Sequence, residues 1–401
     1  MKKTLLAVAL TGAFATVAHA QSSVTLYGLL DAGISYSSNV RVAAGQGSGA
    51  VAMTSGLMQS DRWGLKGAED LGGGLKAVFD LEDGFSIGNG KLGQGGREFG
   101  RNAYVGLSSN SVGTVTIGRQ NEFMYDYVSQ MSMENFNGAG GNAFTHVLDN
   151  DNMDGTFRVN NAVRYTSPNY DGLTVGGLYG FSGAAGGFAN NRAYSLGALY
   201  NNGPIKAALG YTQINNNPGL NSNSSGAVDE SQTSSADAPF TAEQQRIFGG
   251  GANYTFGPAN VGFVVTNTKL SDATGFSADS TPLTAAANAT FTNYEVNAHY
   301  SLTPALTLGA AYDYTQGKYS STAASITPKW NQVSLLTDYA LSKRTDVYAL
   351  GTYEHLSGGV APTSAAAAAV PTAFQGAWSL EGGTSASTNQ VVFGVGLRTR
   401  F

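Results

Sequence analysis

The sequence predicts an all-β fold, a closed 16-stranded antiparallel transmembrane β-barrel. Segments of about ten residues alternate between apolar side chains and small or polar ones, which is the period of a β-strand. The connections between these segments are alternately short and long. No stretch after residue 20 has the roughly 18 consecutive apolar residues of a membrane-spanning helix.

The composition is unlike that of a soluble cytoplasmic enzyme. The chain has 401 residues, of which 54 are Gly, none is Cys and 12% are charged, whereas soluble domains average about 25% charged residues. Without Cys there is no disulfide framework, thiolate metal site or cysteine nucleophile. The net charge of −5 includes no basic block, so a nucleic-acid partner is not expected. We expect no cofactor and no metal.

The N-terminus has the pattern of an export signal. Two lysines precede an apolar run over residues 5–17, and Ala18-His19-Ala20 forms a small-x-small cleavage site. The run is short for a spanning helix, which needs about 20 residues. We therefore predict a signal peptide at residues 1–20 and a single barrel domain at residues 21–401.

The last segment shows the alternation most clearly. From Val391 to Phe401 the odd-numbered residues are apolar except Thr399, and the even-numbered ones are small or charged except Val392. Aromatic residues near the strand ends are typical of a girdle at a membrane surface and disfavour the alternatives, a soluble sandwich or propeller. The predicted strands cover residues 23–36, 61–69, 75–83, 99–108, 113–120, 158–167, 172–181, 192–200, 204–213, 246–256, 259–269, 291–301, 305–315, 329–340, 345–354 and 389–401.

The connections support closure of the sheet. Seven short turns rich in Gly, Pro, Asn, Asp and Ser alternate with eight long loops, and fifteen connections join sixteen strands. An even number of strands with short turns on one side is the layout of an outer-membrane barrel, in which closure satisfies every backbone hydrogen bond in lipid. Loops 214–245 and 355–388 are predicted to be mobile surface segments.

Three motifs and the C-terminal residue resemble the general diffusion porins of β-proteobacteria, such as those of Burkholderia and Neisseria. The motifs are SVTLYGLLDAG at 23–33, DRWGLKGAEDLGGGLKAVF at 61–79 and RNAYVGL at 101–107, and the last residue is Phe401. The resemblance implies a homotrimer in the bacterial outer membrane, in contact with lipid and lipopolysaccharide. It also implies a third long loop folded into the barrel, and a C-terminal aromatic residue that the barrel-assembly machinery reads.

Charges on the third long loop and on the barrel wall predict a pore constriction. Residues 120–157 contain six acids and no Lys or Arg. The strand alternation turns four basic residues towards the lumen, and the resemblance places Arg62 and Arg101 in the basic cluster of the constriction. The same alternation turns Asn102, Tyr104, Gly106, Arg119 and Val159 outward. The predicted basic wall is Arg62, Lys66, Arg101 and Arg158, and the predicted acidic loop includes Glu122, Asp126, Glu134 and Asp149.

The expected function is non-enzymatic passage of ions and small hydrophilic solutes through a water-filled channel. The acidic loop favours cations, whereas a dominant basic wall would favour anions, so the sign of the selectivity stays open. The alternatives are a channel specific for a sugar or an organic anion, an adhesin, and an esterase that uses His299 and Ser301. His146 and His355 lie in loops without a second His at metal-ligand spacing.

Overall fold

The computed structural model describes residues 23–138, 142–216, 226–228, 240–276, 283 and 286–401. The predicted signal peptide and most of loop 214–245 lie outside these residues. None of the described helices is long and apolar enough to cross a membrane. The strands are β1 (Ser23–Ala43), β2 (Gln46–Ser55), β3 (Arg62–Gly72), β4 (Leu75–Gly84), β5 (Asn102–Ser109), β6 (Gly113–Gln120), β7 (Val159–Thr166), β8 (Leu173–Gly180), β9 (Arg192–Asn202), β10 (Ile205–Asn215), β11 (Phe240–Phe256), β12 (Ala259–Phe276), β13 (Ala287–Ser301), β14 (Leu306–Ser321), β15 (Ser325–Ile326), β16 (Lys329–Ala340), β17 (Thr345–Ser357), β18 (Trp378–Ser379), β19 (Gly383–Thr384) and β20 (Asn389–Arg400).

Eighteen of these strands form one sheet that closes on itself. β1 closes the ring because Ser23–Leu29 pairs with β3 and Leu29–Ser37 pairs with β20, both antiparallel. Within the described residues, β2 pairs with β1 alone and β15 with β14 alone. The remaining sixteen strands make up the barrel, which confirms the predicted fold.

The two faces of the barrel wall follow the predicted alternation in β20. Phe393, Val395 and Leu397 are 52%, 45% and 48% exposed, whereas Val392 and Arg398 are each 1% exposed. An outer face of exposed apolar side chains is suited to contact with acyl chains, and polar groups on the inner face are suited to water.

The structure differs from the prediction at residues 37–60. This segment was expected to be a loop, but it contains the end of β1 and all of β2, which form an antiparallel hairpin. The hairpin is rich in Gly, Ala and Ser. Val51 and Met53 are its exposed apolar residues, and so short an alternation among Gly, Ala and Ser residues did not indicate a strand.

Loop 355–388 is packed rather than a mobile surface segment. Phe374 is 1% exposed, and its ring centroid lies 5.3 Å from that of Tyr319, 5.7 Å from Trp330 and 5.6 Å from Phe276. The Glu354 carboxylate accepts the backbone N–H of Trp378 at 2.5 Å. The prediction rested on the many Ala, Ser and Thr residues of the loop and overlooked Phe374 and Trp378, so it was wrong.

Candidate functional site

Residues 121–158 connect β6 to β7 through short helical turns, beginning with Met124–Val128 and Ser129–Met131. Apolar side chains of this segment pack against the buried faces of the neighbouring strands. Gly197 and Gly210 allow a close approach, since a Cβ at Gly197 would lie 2.5 Å from Phe123 Cβ and one at Gly210 2.7 Å from the Met124 sulfur. The strand residues in this cluster include Ala162, Leu178, Ala193, Ala208, Ile247 and Val264.

Hydrogen bonds join the same segment to β13. Glu295 accepts the Ser132 hydroxyl at 2.5 Å and the Met133 backbone N–H at 2.6 Å. The Asn297 side chain donates to the Met131 carbonyl at 2.8 Å. Glu295 and Asn297 lie on the buried face of the strand, so this face holds the segment in place.

Three of the four predicted basic residues lie close to one acid of the segment. Arg62 and Arg101 line one cavity together with Tyr125 and Asp154. Burial raises the pKa of Asp154 to about 6, and the positive charges of Arg158, Arg101 and Arg62 oppose this rise. Asp154 is one of the six acids of the predicted loop but not one of the four assigned to the constriction, and the structure brings it to the basic wall.

Lys66 lies apart from the three arginines. It is exposed, its ammonium group lies 4.8 Å from the centroid of the Tyr27 ring, and it is paired in register with Asp80. Tyr27 donates a hydrogen bond to Asp80 at 2.7 Å. Asp80 is therefore the acidic residue beside Lys66. Lys66 also lies nearer the short-turn end of β3 than Arg62 does.

The alternation was misjudged in β5. Asn102 donates to Asp80 at 3.3 Å and Tyr104 lines a cavity with Arg164, whereas Val105 is 61% exposed. Asn102, Tyr104 and Gly106 therefore face inward, and their predicted outward orientation was wrong. Arg101 also faces the interior, although it is next to Asn102 in the sequence. It lies just before β5 begins, so the alternation of the strand does not apply to it.

A bulge explains why Arg119 and Val159 are buried. The register between β6 and β7 shifts between Gly118 and Gln120, and a bulge changes the side to which the following residues point. Arg119 is 8% exposed and donates to the Gly100 carbonyl at 2.8 Å, and Val159 is 0% exposed. The outward orientation predicted for both residues was wrong.

Glu122 anchors the segment from within. It is 0% exposed, and its carboxylate accepts the backbone N–H of Met124 at 2.5 Å and that of Tyr125 at 2.9 Å. It also accepts hydrogen bonds from Asn152 at 2.9 Å and Thr212 at 2.5 Å. Burial raises the pKa of Glu122, and these hydrogen bonds oppose the rise. Glu122 thus joins the start of the segment to β10.

The other three predicted acids lie in separate places. Asp126 forms an ion pair with Arg164, whose guanidinium lies 4.2 Å from the centroid of the Phe123 ring. Asp149 accepts the backbone N–H of Asp154 at 3.0 Å, and burial raises the pKa of Asp149 to about 8.

Glu134 belongs to a buried group around His146, whose backbone N–H it accepts at 2.7 Å. Burial raises the pKa of Glu134 well above its usual range, although His146 opposes this. Burial alone would lower the pKa of His146, but the carboxylates of Asp151 and Glu134 raise it well above its usual value.

The prediction did not place Asp154, Tyr125 or Glu82 beside the basic wall. Glu82 Oε1 accepts a hydrogen bond from Arg101 Nε at 2.6 Å. One sequence signal was available for Glu82, since it shares the inward alternation of β4 with Asp80. The positions of Asp154 and Tyr125 depend on the irregular path of the segment, which no periodicity describes.

Comparisons with known proteins agree with this architecture. A family model described as Gram-negative porin matches residues 5–359. The chain is 35% identical over 384 residues to an outer membrane porin protein of Bordetella pertussis, covering 88% of this chain and 94% of that protein. It is 37% identical over 222 residues to outer membrane porin protein 32 of Delftia acidovorans, covering 53% and 60% of the two chains.

Among solved structures, the anion-selective porin from Comamonas acidovorans superposes with a TM-score of 0.66 at 25% identity. The match covers 95% of this chain and all of that one. OmpT of Vibrio cholerae has a TM-score of 0.62 at 17% identity, which shows a shared fold, with 96% and 100% of the chains covered. The chain is therefore a member of the Gram-negative porin family, an outer-membrane β-barrel protein.

Proposed function

We propose that the barrel forms a passive, water-filled channel for ions and small hydrophilic solutes, narrowed by residues 121–158 folded into its bore. The observation that carries this proposal is the cavity in which Asp154 of the segment meets Arg62 and Arg101 of the wall. Opposed charges across a narrow passage orient polar solutes and disfavour bulky apolar ones. Flux then follows the concentration gradient without an energy source.

The placement of the acids favours anions in this channel. Glu122, Glu134 and Asp149 are 0%, 4% and 3% exposed, so their charges do not line the bore. Asp126 is paired with Arg164, and Asp154 faces three arginines. The structurally similar Comamonas porin is described as anion-selective, which supports the same preference here.

We further propose a homotrimer in contact with outer-membrane lipid and lipopolysaccharide. OmpT of Vibrio cholerae, an outer membrane protein of the same fold, has been solved in a trimer form. Phe401 remains a candidate signal for the barrel-assembly machinery. Its backbone forms hydrogen bonds with Gly28 at 3.0 and 3.1 Å, and the residue is 47% exposed, which leaves the terminal ring accessible during assembly.

Planar bilayers and liposomes test the proposed channel. We expect a conductance that is linear in salt concentration, and liposome swelling that slows steadily as neutral sugars become larger. Conductance that saturates and is blocked by one solute would indicate a substrate-specific channel instead. Ester hydrolysis abolished by Ser301→Ala would indicate the enzymatic alternative, and a folded protein that blocks ions would contradict the proposal.

A further inference from the structure

The segment 121–158 contains a buried histidine surrounded by carboxylates. His146 is 2% exposed, and its Nδ1 lies 2.8 Å from Asp151 Oδ2 and 3.6 Å from Glu134 Oε1. Its Nε2 lies 3.3 Å from Asp313 Oδ1 and 3.4 Å from Glu295 Oε2. Since Glu295 lies on β13 and Asp313 on β14, the cluster connects the segment to the barrel wall.

The charges of this cluster do not balance. In the described part of the chain, the ion pairs of all four carboxylates involve His146. An imidazolium supplies at most one positive charge, so even with Glu134 protonated the three other carboxylates leave an excess of negative charge. Buried charges are strongly unfavourable unless they are paired. A cation at this place would supply the missing charge.

The side of the cluster formed by Nε2 also contains polar atoms without hydrogen bonds. Asp313 is 4% exposed, and apart from the 3.3 Å contact of Oδ1 with His146 Nε2, neither of its carboxylate oxygens has a hydrogen-bond partner among the described residues. The same is true of His146 Nε2. On the Nδ1 side, Asp151 Oδ2 accepts hydrogen bonds from Thr266 at 2.5 Å and Asn293 at 3.0 Å, whereas Asp151 Oδ1 and Glu134 Oε2 have no partner among the described residues. On the Nε2 side, the imidazole nitrogen and the Asp313 carboxylate lie close to Glu295 Oε2, which accepts the Ser132 hydroxyl.

The spacing of these atoms fits a metal ion. The ligand atoms of His146, Glu295 and Asp313 all lie within 4.8 Å of one another. A tetrahedron with metal–ligand bonds of about 2.0–2.1 Å has edges of about 3.3–3.4 Å, which match the two distances from Nε2. We propose that His146 Nε2, Glu295 and Asp313 bind a divalent first-row transition ion such as Zn²⁺.

The contacts around these three ligands support that choice of ion. An imidazole nitrogen favours Zn²⁺ and its neighbours in the first transition row over Ca²⁺ or Mg²⁺. Nδ1 donates to Asp151, as in the carboxylate–histidine–metal arrangement that fixes the tautomer and orients the ring. The ion would join residue 146 to two wall strands, so it would hold the segment in position.

Metal content of the purified full-length protein tests this site independently of conductance. One sample of folded protein is stripped with a chelator and dialysed against Zn²⁺. Because the site is buried and the ion could enter slowly, a second sample is folded into detergent with Zn²⁺ present. We expect one Zn²⁺ per chain. His146→Gln and Asp313→Asn should abolish binding, whereas Asp151→Asn should weaken it by about 10–100-fold.

Asp313→Asn is expected to fold, because the amide keeps the shape of the side chain and removes a buried negative charge. His355→Gln is the matched control, since His355 Nδ1 contacts Asn389 at 2.7 Å away from the cluster. With Co²⁺ we expect the strong visible absorption of a tetrahedral site in the wild type and the control. A folded wild type that binds no metal in either sample overturns the proposal, as does equal binding by wild type, His146→Gln and Asp313→Asn.

Discussion

Arg101 Nε donates a hydrogen bond to Glu82 Oε1 across 2.6 Å, and the side chains of the two residues are only 6% and 11% exposed. Arg101 is therefore held beside Arg62 with its guanidinium oriented by a carboxylate of the adjacent strand. Glu82 positions the basic wall and also offsets part of its charge.

Replacing Glu82 by Gln should increase the preference for anions, because the side-chain shape is kept while one negative charge is removed beside the arginines. One unit charge at a few ångströms is worth about 1 kcal/mol even in bulk water, so the chloride-to-potassium permeability ratio should rise by about fivefold. Reversal potentials in asymmetric KCl measure this ratio. Asp171→Asn, in an exposed turn, is the control and should leave the ratio unchanged. A lower anion preference in Glu82→Gln would contradict the assignment.

Selectivity should also depend on pH through Asp154. Burial raises the pKa of Asp154 to about 6, so its negative charge is present above this pH and lost below it. Anion preference should therefore increase on acidification through pH 6. Asp154→Asn should show, both above and below pH 6, the higher anion preference that the wild type shows only in acid. A wild type whose reversal potential is independent of pH between neutral and acidic buffer, or a variant with the same pH response, would show that Asp154 does not face the bore.

Glu122→Ala should loosen the segment 121–158. The substitution leaves two backbone N–H groups and the side chains of Asn152 and Thr212 without their acceptor. Leaving buried donors unpaired costs about 1–3 kcal/mol each, so we expect a loss of about 3 kcal/mol or more in unfolding free energy. Thermal unfolding in detergent measures the loss of stability. Noise in the single-channel current measures the motion of the loosened segment. Unchanged stability and current would rule out an anchoring role for Glu122.

Phe374→Ala should release loop 355–388. The ring contacts four aromatic neighbours with centroid distances of 5.3 to 6.0 Å, and the truncation of a buried Phe costs about 3–5 kcal/mol. We expect a lower unfolding temperature and a larger conductance. Leu380→Ala, at a residue that is 42% exposed, is the control. Equal effects of the two substitutions would mean that the aromatic cluster does not hold the loop.

The barrel itself was predictable because strand alternation and turn residues are local signals. β16 has the predicted bounds, residues 329–340, and β6 the predicted residues 113–120. Arg62 was placed on the inner wall by the same alternation. The prediction failed where the backbone departs from a regular ladder, as at the bulge beside Gly118.

The interior of segment 121–158 could not be predicted from spacing. Its partners come from distant strands, as Glu295 and Asp313 do for His146. The spacing of His residues does not indicate the proposed ligands of His146, since these are carboxylates that only folding brings near it. Acid content alone likewise did not distinguish Asp154, which faces the arginines, from the buried Glu122.

We propose that Arg62 and Arg101 control ion passage at the narrowest part of the bore. Reversal potential and single-channel conductance in asymmetric KCl, measured for the wild type and for Arg62→Ala/Arg101→Ala, test this proposal. We predict a wild type that favours chloride, and a variant with larger conductance and a reversal potential shifted towards potassium. Lys66→Ala should cause a smaller shift, because Lys66 lies apart from the arginines. Identical reversal potentials for the wild type and the double variant would show that the two arginines do not set the selectivity.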